Sequence, residues 1–366
     1  MKICFYSPYL PTHFGGGEKH LFDVALIAAQ SHQVKIAISD RLVAASGLQS
    51  IKRSYQQFLG CSLDSLSFIS TPLGSKKSFL HKLWWTKQFD GLYYVSDGSL
   101  FFSLAQHNYL HLQVPFSNSM SALIDRLKLL NWDSKNTNSV FTKQVIERYW
   151  PTTIDAVINP MVDLDEFKSD RPQKKPYILS VGRFFRQLHS KRQDVLVEAF
   201  KSLRSKYPKE TKEWQLILVG SVEDTDYFEE IVATSHNLPI VIKTDVNRAE
   251  LVKLYQQSSI YWHATGYHID QAKEPTKVEH FGISTLEAMA AGMVPVVQAK
   301  GGQLEILTGA LAELGWLELE ECVGITQRLI TDQPYRANMV KLASDRAENF
   351  SKPRFIQQVN DLFNQD

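Results

Sequence analysis

The chain has 366 residues, 44% hydrophobic and 22% charged, the balance of a folded globular protein rather than a disordered, collagen-like or membrane-spanning one. A formal charge of +1 hides an asymmetry, since residues 1–130 carry 12 Lys and Arg against 7 Asp and Glu while residues 131–366 carry 28 against 32; that density and the lack of a recognition motif exclude a nucleic-acid partner. Three widely spaced cysteines, Cys4, Cys61 and Cys322, argue against a disulfide framework or a cysteine zinc site, and no apolar run approaches the roughly 20 residues that cross a bilayer.

Residues 1–6 form an apolar, β-rich run without the charged and long apolar regions of a secretion signal, so a cytoplasmic protein is expected. Phe14-Gly15-Gly16-Gly17-Glu18 follows, and then a helical pattern through Leu21, Val24, Ala25 and Ala28. With a second strand at 34–38, the opening has the βαβ form of a doubly wound parallel sheet. Further strands are predicted at 67–70, 91–96, 109–113, 139–141 and 156–158. Residues 165–175 are charged, hold a proline and lack apolar periodicity, as an interdomain linker would. The pattern then restarts, with strands at 177–181, 214–219, 239–243, 260–263 and 294–297, and helices at 193–206, 248–256 and 284–291, the last closed by Gly292. A chain of this size exceeds one ordinary core. The expected fold is therefore α/β, with two Rossmann-like domains, 1–168 and 169–351, facing each other across a cleft, and the C-terminal helix 352–366 packing back on the first.

The densest chemical signal is Glu279-His280-Phe281-Gly282-Ile283-Ser284-Thr285-Leu286-Glu287. Gly282 to Thr285 would lie at a helix amino terminus, where backbone N–H groups and the dipole attract an anion or a hydroxyl-rich sugar. Glu279, just before the helix, is placed to accept hydrogen bonds from sugar hydroxyls. Glu287, one turn in, has two readings: a ligand for a ribose diol, or the far end of a Ser284-x-x-Glu287 capping box. Gly182-Arg183 ends a strand, with Lys191 further along the same loop, read either as solvated loop charges or as cations that meet an anionic ligand. Arg186 and Arg192 are alternatives for the second cation. Gly15 to Gly17 open a helix after a strand, either as a phosphate loop or as a tight turn. His107 reads as structural, and His263 faces a crevice or fills the core. No histidine is accompanied by the carboxylates of a metal site, so no catalytic metal is expected.

Residues 275–297 resemble the E-x7-E signature of retaining glycosyltransferases of family 4, also called glycosyltransferase group 1, which have the GT-B fold. Collinear segments extend the resemblance over most of the chain, among them Gly182-Arg183 with Lys191, Gln113-Val114-Pro115-Phe116 after His111, and Gly301-Gly302-Gln303. The resemblance implies that Glu279, Arg183, Lys191 and His111 are catalytic, and that Gly16, Gly17, Phe281, Gly282, Ile283, Ser284, Glu287 and His263 bind substrate. It also implies a nucleotide diphosphate sugar as co-substrate, with UDP-glucose favoured, no cofactor or metal, transfer with retention, and a saccharide or lipid-linked acceptor. An epimerase, a glycan phosphorylase or an inactive nucleotide-sugar-binding subunit on the same fold are the alternatives. Lys76, Lys77, His81, Lys82, Trp84, Trp85 and Lys87 bring basic and aromatic residues together, as peripheral contact with an anionic membrane or an ordinary surface helix would.

Overall fold

Strands that are apolar on both faces need helices on both sides of their sheet, and both arrays of this chain meet that need. The computed structural model describes all residues except 12–13, 121, 169–172, 188–189 and 365–366. It divides into two units, Met1–Pro160 with Pro353–Asp366, and Met161–Lys352.

The first unit runs β1 (Lys2–Tyr6), α1 (Gly16–Ala28), β2 (Gln33–Ser39), α2 (Asp40–Ser46), α3 (Leu48–Leu59), β3 (Ser67–Thr71), α4 (Phe79–Thr86), β4 (Gly91–Val95), β5 (His107–Leu112), α5 (Leu123–Leu130), β6 (Ser134–Thr137), α6 (Val140–Tyr149) and β7 (Ala156–Val157). Its described strands form one parallel sheet in the order β3-β2-β1-β4-β5-β6-β7. Ile3 stands opposite Val34 on one side and Gly91 on the other. The order reverses between β1 and β4, so the loops after those two strands part and leave a crevice at their carboxyl ends.

The second unit runs α7 (Leu164–Lys168), β8 (Tyr177–Val181), α8 (Gln193–Lys206), β9 (Gln215–Val219), α9 (Thr225–Thr234), β10 (Ile240–Lys243), α10 (Arg248–Gln257), β11 (Ile260–His263), α11 (Ile283–Ala290), β12 (Val294–Gln298), α12 (Gln303–Ile306), β13 (Gly315–Trp316), α13 (Leu319–Thr331) and α14 (Gln333–Ala347). The sheet order is β10-β9-β8-β11-β12-β13, again parallel, with its reversal between β8 and β11. A final helix, α15 (Lys352–Phe363), belongs to the first unit from Pro353 onward. Phe355 meets the His20 ring, and Phe363 meets Phe5, Tyr93 and Tyr109.

Three local expectations are corrected. The strand expected at 139–141 is the start of α6; the true strand, β6, lies between β5 and β7 and ends at Thr137. Ser139 accepts the Thr142 amide at 3.0 Å, and this cap turns a β-branched run into a first helical turn. The stretch 165–175 begins as α7, whose Phe167 is fully buried in the second core and whose Glu166 binds Arg248. The division between the units accordingly falls before α7 and not after residue 168; residues 169–172 of that stretch lie outside the described residues. Finally, α11 starts at Ile283 with Gly282 as its cap, so Ser284 lies inside the helix and caps nothing.

Candidate functional site

In the second unit, three segments converge at the reversal between β8 and β11. The loop after β8 carries Arg183 and Lys191, β11 ends on His263, and the segment entering α11 carries Glu279. Lys191 Nζ donates to Glu279 Oε2 at 2.6 Å, and His263 Nε2 lies 2.8 Å from the same oxygen. Gly182 permits this approach, because a Cβ there would stand 2.4 Å from Lys191 Cγ.

The electrostatics follow from this contact. Burial alone would raise the Glu279 carboxyl, but the Lys191 ammonium and the His263 hydrogen bond outweigh it and hold Glu279 well below the usual carboxylate range. Burial lowers the pKa of His263 against the opposing pull of Glu279, so the ring is neutral near pH 7. A neutral ring facing a carboxylate carries its proton on Nε2. The result is an ionised acid held by two donors beside the first turn of α11, whose amides and dipole favour a negatively charged or hydroxyl-bearing ligand.

Glu287 points elsewhere. Its Oε1 receives Arg248 at 2.8 Å, while Arg248 also grips both oxygens of Glu166, at 2.8 and 2.5 Å. The guanidinium joins α7, α10 and α11 and offsets the buried Glu287 charge. Ser284 Oγ accepts from Tyr261 at 2.7 Å, and Phe281 is buried against Phe350. Ile283 packs on the core. Gly282 turns the chain into α11 at φ 119°, a left-handed conformation that glycine adopts without strain. Gly302 fixes the height of the acid: its amide donates to the Glu279 carbonyl at 2.8 Å, and a Cβ there would collide with the His280 carbonyl at 2.3 Å.

Arg183 is partly exposed, paired with Glu223 at 3.1 Å and lying over the Phe185 ring. The two alternative cations instead line a cavity of about 330 Å³ with Asp194, Tyr227, Tyr267 and Lys277, a volume at the lower end of small-ligand sites. Arg192 is fastened to Asp194 by a fork of hydrogen bonds and to the Tyr267 carbonyl at 3.2 Å, and Arg186 is paired with Glu230. Sequence reasoning missed Arg248, Tyr261, Asp194 and Tyr227. None carries a local motif, and apart from the Arg192–Asp194 fork their contacts join residues distant in sequence.

In the first unit, Gly16 opens α1, and Glu18 reaches back to accept the Gly15 amide at 3.0 Å. Gly17 lies against the Gln113 side-chain amide, which would have to shift to admit a Cβ. His111, on β5, is fully buried. Its Nδ1 is 2.6 Å from Asn136 Oδ1, and its ring lies 4.9 Å from that of His20, a residue the sequence did not single out. Burial lowers the His111 pKa to about 4 and, helped by His111, drives His20 well below its usual value. His111 thus sits in a neutral cluster beneath α1, with Nε2 lacking a hydrogen-bond partner among the described residues. Among the same residues, no group of three or more His, Cys, Asp or Glu is arranged to hold a metal ion.

Residues 161–345 match the family model described as glycosyl transferases group 1. Curated relatives include an alpha-1,3/1,6-mannosyltransferase, alg-2, of Neurospora crassa, 29% identical over 226 residues that cover 52% of this chain and 46% of that protein. Another is the GDP-Man:Man(3)GlcNAc(2)-PP-Dol alpha-1,2-mannosyltransferase of Dictyostelium discoideum, 27% identical over 211 residues, covering 52% of this chain and 38% of that protein. The matched stretch thus spans less than half the length of either relative. Among solved structures, Anabaena HepE in complex with UDP and glucose superposes with a TM-score of 0.70 at 16% identity, covering 100% of both chains. That likeness establishes the fold as GT-B.

Proposed function

Since the chain belongs to the group 1 glycosyl transferases, we propose that it moves a hexose-type sugar from a nucleoside diphosphate donor to a saccharide or lipid-linked acceptor, with retention of anomeric configuration, in polysaccharide or glycoconjugate synthesis. The observation that carries the reading is the Lys191–Glu279–His263 cluster beside the amino terminus of α11. Glu279 accepts hydrogen bonds from sugar hydroxyls. Lys191, Arg183 and the first amides of α11 meet the diphosphate, whose charge grows as the bond from sugar C1 to phosphate oxygen breaks. The acceptor oxygen bonds to C1 from the same face, and its proton passes to the departing phosphate. The reaction so written uses no metal and no further cofactor.

Glu287, its charge offset by Arg248, binds the donor ribose, and His111 orders the first-unit wall near the acceptor. Two relatives are mannosyltransferases, one named for GDP-mannose, and one structural neighbour is a complex with UDP and glucose. The uridine donor expected from the sequence and a guanosine donor are therefore the two arms of the test. We place the reaction in the cytoplasm, at the membrane surface. No described helix is long and apolar enough to cross a bilayer, and the proposed attachment is peripheral.

The test is a thermal-shift series with UDP-, GDP- and ADP-sugars, followed by assay of donor hydrolysis and transfer. A ligand selective for the native state raises the melting temperature in line with its binding free energy. One base should stabilise the protein and support turnover. No stabilisation by any of the three, together with no donor consumption, would refute the reading.

A further inference from the structure

The first unit carries an apolar face left exposed among its described residues. On α5, Leu123 and Leu130 are 73% and 78% exposed, and Leu127 lies on the same side of the helix at the i, i+4, i+7 spacing. On α4, Phe79, Leu80 and Trp84 are exposed. The opposite sides of both helices are satisfied: Leu129 and Trp85 pack into one cluster with Trp132 and Tyr94. The connection from β3 to β4 and that from β5 to β6 cross the same side of the sheet, because right-handed crossovers running in one direction share a face.

The two helices are also tied to each other. The Leu104 amide donates to Thr86 Oγ1, on the last residue of α4, at 2.8 Å. One residue earlier, the Ser103 amide donates to Asn131 Oδ1 at 2.6 Å, and Asn131 Nδ2 returns a bond to the Ser103 carbonyl at 3.1 Å. Asn131 caps the carboxyl end of α5. Phe102 meets the Phe79 ring edge-on at 6.3 Å, so residues 102–104 form a strap along α4 to the end of α5. Leu104 itself is exposed within the strap. The outward leucines of α5 and the phenylalanine, leucine and tryptophan of α4 are thus carried on two helices that this strap joins.

Charge identifies what covers it. Residues 76–87 hold four lysines and no acid, and Lys87 lies over the Trp84 ring at 4.7 Å. Arg126 is exposed on α5. Apolar side chains rimmed by lysine and arginine suit a lipid surface, where the apolar groups enter the acyl boundary and the cations meet anionic headgroups. A second copy of the chain suits the face poorly, since a two-fold contact would set these lysines against themselves.

We infer that α4, α5 and the 102–104 strap form a two-helix platform that docks on anionic lipid. The inference deepens the membrane contact proposed above, but its geometry does not depend on the transferase chemistry.

The test uses the purified full chain with two sets of vesicles, phosphatidylcholine alone and phosphatidylcholine mixed with phosphatidylglycerol. Wild type should co-sediment with the mixed vesicles and be released by salt. The pairs Leu127→Glu with Leu130→Glu and Lys82→Glu with Lys87→Glu should each weaken binding by more than about tenfold, with melting temperature and donor-induced shift preserved. Absence of wild-type binding to the mixed vesicles, or wild-type binding by both double variants, would overturn the platform. So would a dimer in light scattering that the leucine pair dissolves while vesicle binding is absent. Vesicle binding without any donor-induced shift would leave the platform standing and count against the transferase reading alone.

Discussion

The crevice edges of the two units are built from the same topology and filled with opposite chemistry. In the second unit, a lysine and a neutral histidine both bond to one oxygen of an ionised acid, within 2.8 Å. In the first, His20, His111, Tyr93 and Asn136 form a buried neutral cluster in which both ring nitrogens of His20 and Nε2 of His111 lack partners among the described residues. A charge can stay buried only where partners hold it. The second unit is thus built to present charge, whereas the first excludes it from the wall beneath its glycine loop.

The largest effect should come from breaking the charged cluster. Glu279→Gln and Lys191→Met should each lower turnover by about 10²-fold or more, as loss of one preorganised electrostatic contact does. Turnover within threefold of wild type in both variants would sink the assignment. Loss of Lys191 also leaves the buried Glu279 charge with only the neutral His263 as donor, so that variant should be the less stable of the two in denaturant melts.

Next comes Gly302→Ala, which touches no substrate in the proposed mechanism but drives a methyl into the His280 carbonyl. It should cost about 1–3 kcal/mol of stability and lower turnover by displacing Glu279. Normal turnover would show that the position of the acid does not depend on this contact.

The neutral cluster predicts a pH dependence. His111 titrates near 6.5 when unfolded and about 4 when folded, so between those values the unfolded chain binds more protons. Stability should therefore be complete above about pH 6.5 and fall as the pH drops toward 4, by on the order of 3 kcal/mol from this residue. The shifts of His20 and His263 act in the same direction. Glu279, shifted downward, withdraws its contribution only below the usual carboxylate range. Denaturant melts at several pH values should show a shallower acid slope in His20→Phe, with no loss of stability at pH 7.5. An unchanged slope would remove His20 from the cluster's titration.

The smallest structural effect is expected at Arg183. Its exposed pair with Glu223 should contribute less than about 0.5 kcal/mol to stability, so Arg183→Ala should melt like wild type while turnover falls by roughly tenfold. Unchanged turnover would shift the diphosphate-binding role to Arg186 and Arg192, which line the neighbouring cavity.

Much of this was legible from short-range signals. Hydrophobic periodicity gave both βα arrays, and Glu279, Gly282 and the start of α11 lie within a few residues of one another, where a motif can be read. The strand misread at 139–141 arose because Val140 and Phe141 favour β structure, and a single serine cap overrides them. The capping-box reading of Glu287 failed for a related reason: with Gly282 as the cap, the helix already starts at Ile283, ahead of Ser284, leaving the carboxylate to Arg248.

By itself, then, the sequence determined the alternation of elements and the family signature, and it nominated the candidate acid and cations. Which of those groups meet was decided by tertiary structure alone. Lys191 reaches Glu279 across 88 residues, and Arg248 reaches Glu166 across 82. Such contacts depend on sheet order and on the side of the sheet where each helix lands. Local periodicity encodes that an element forms, while its neighbour is chosen by the packing of the whole sheet.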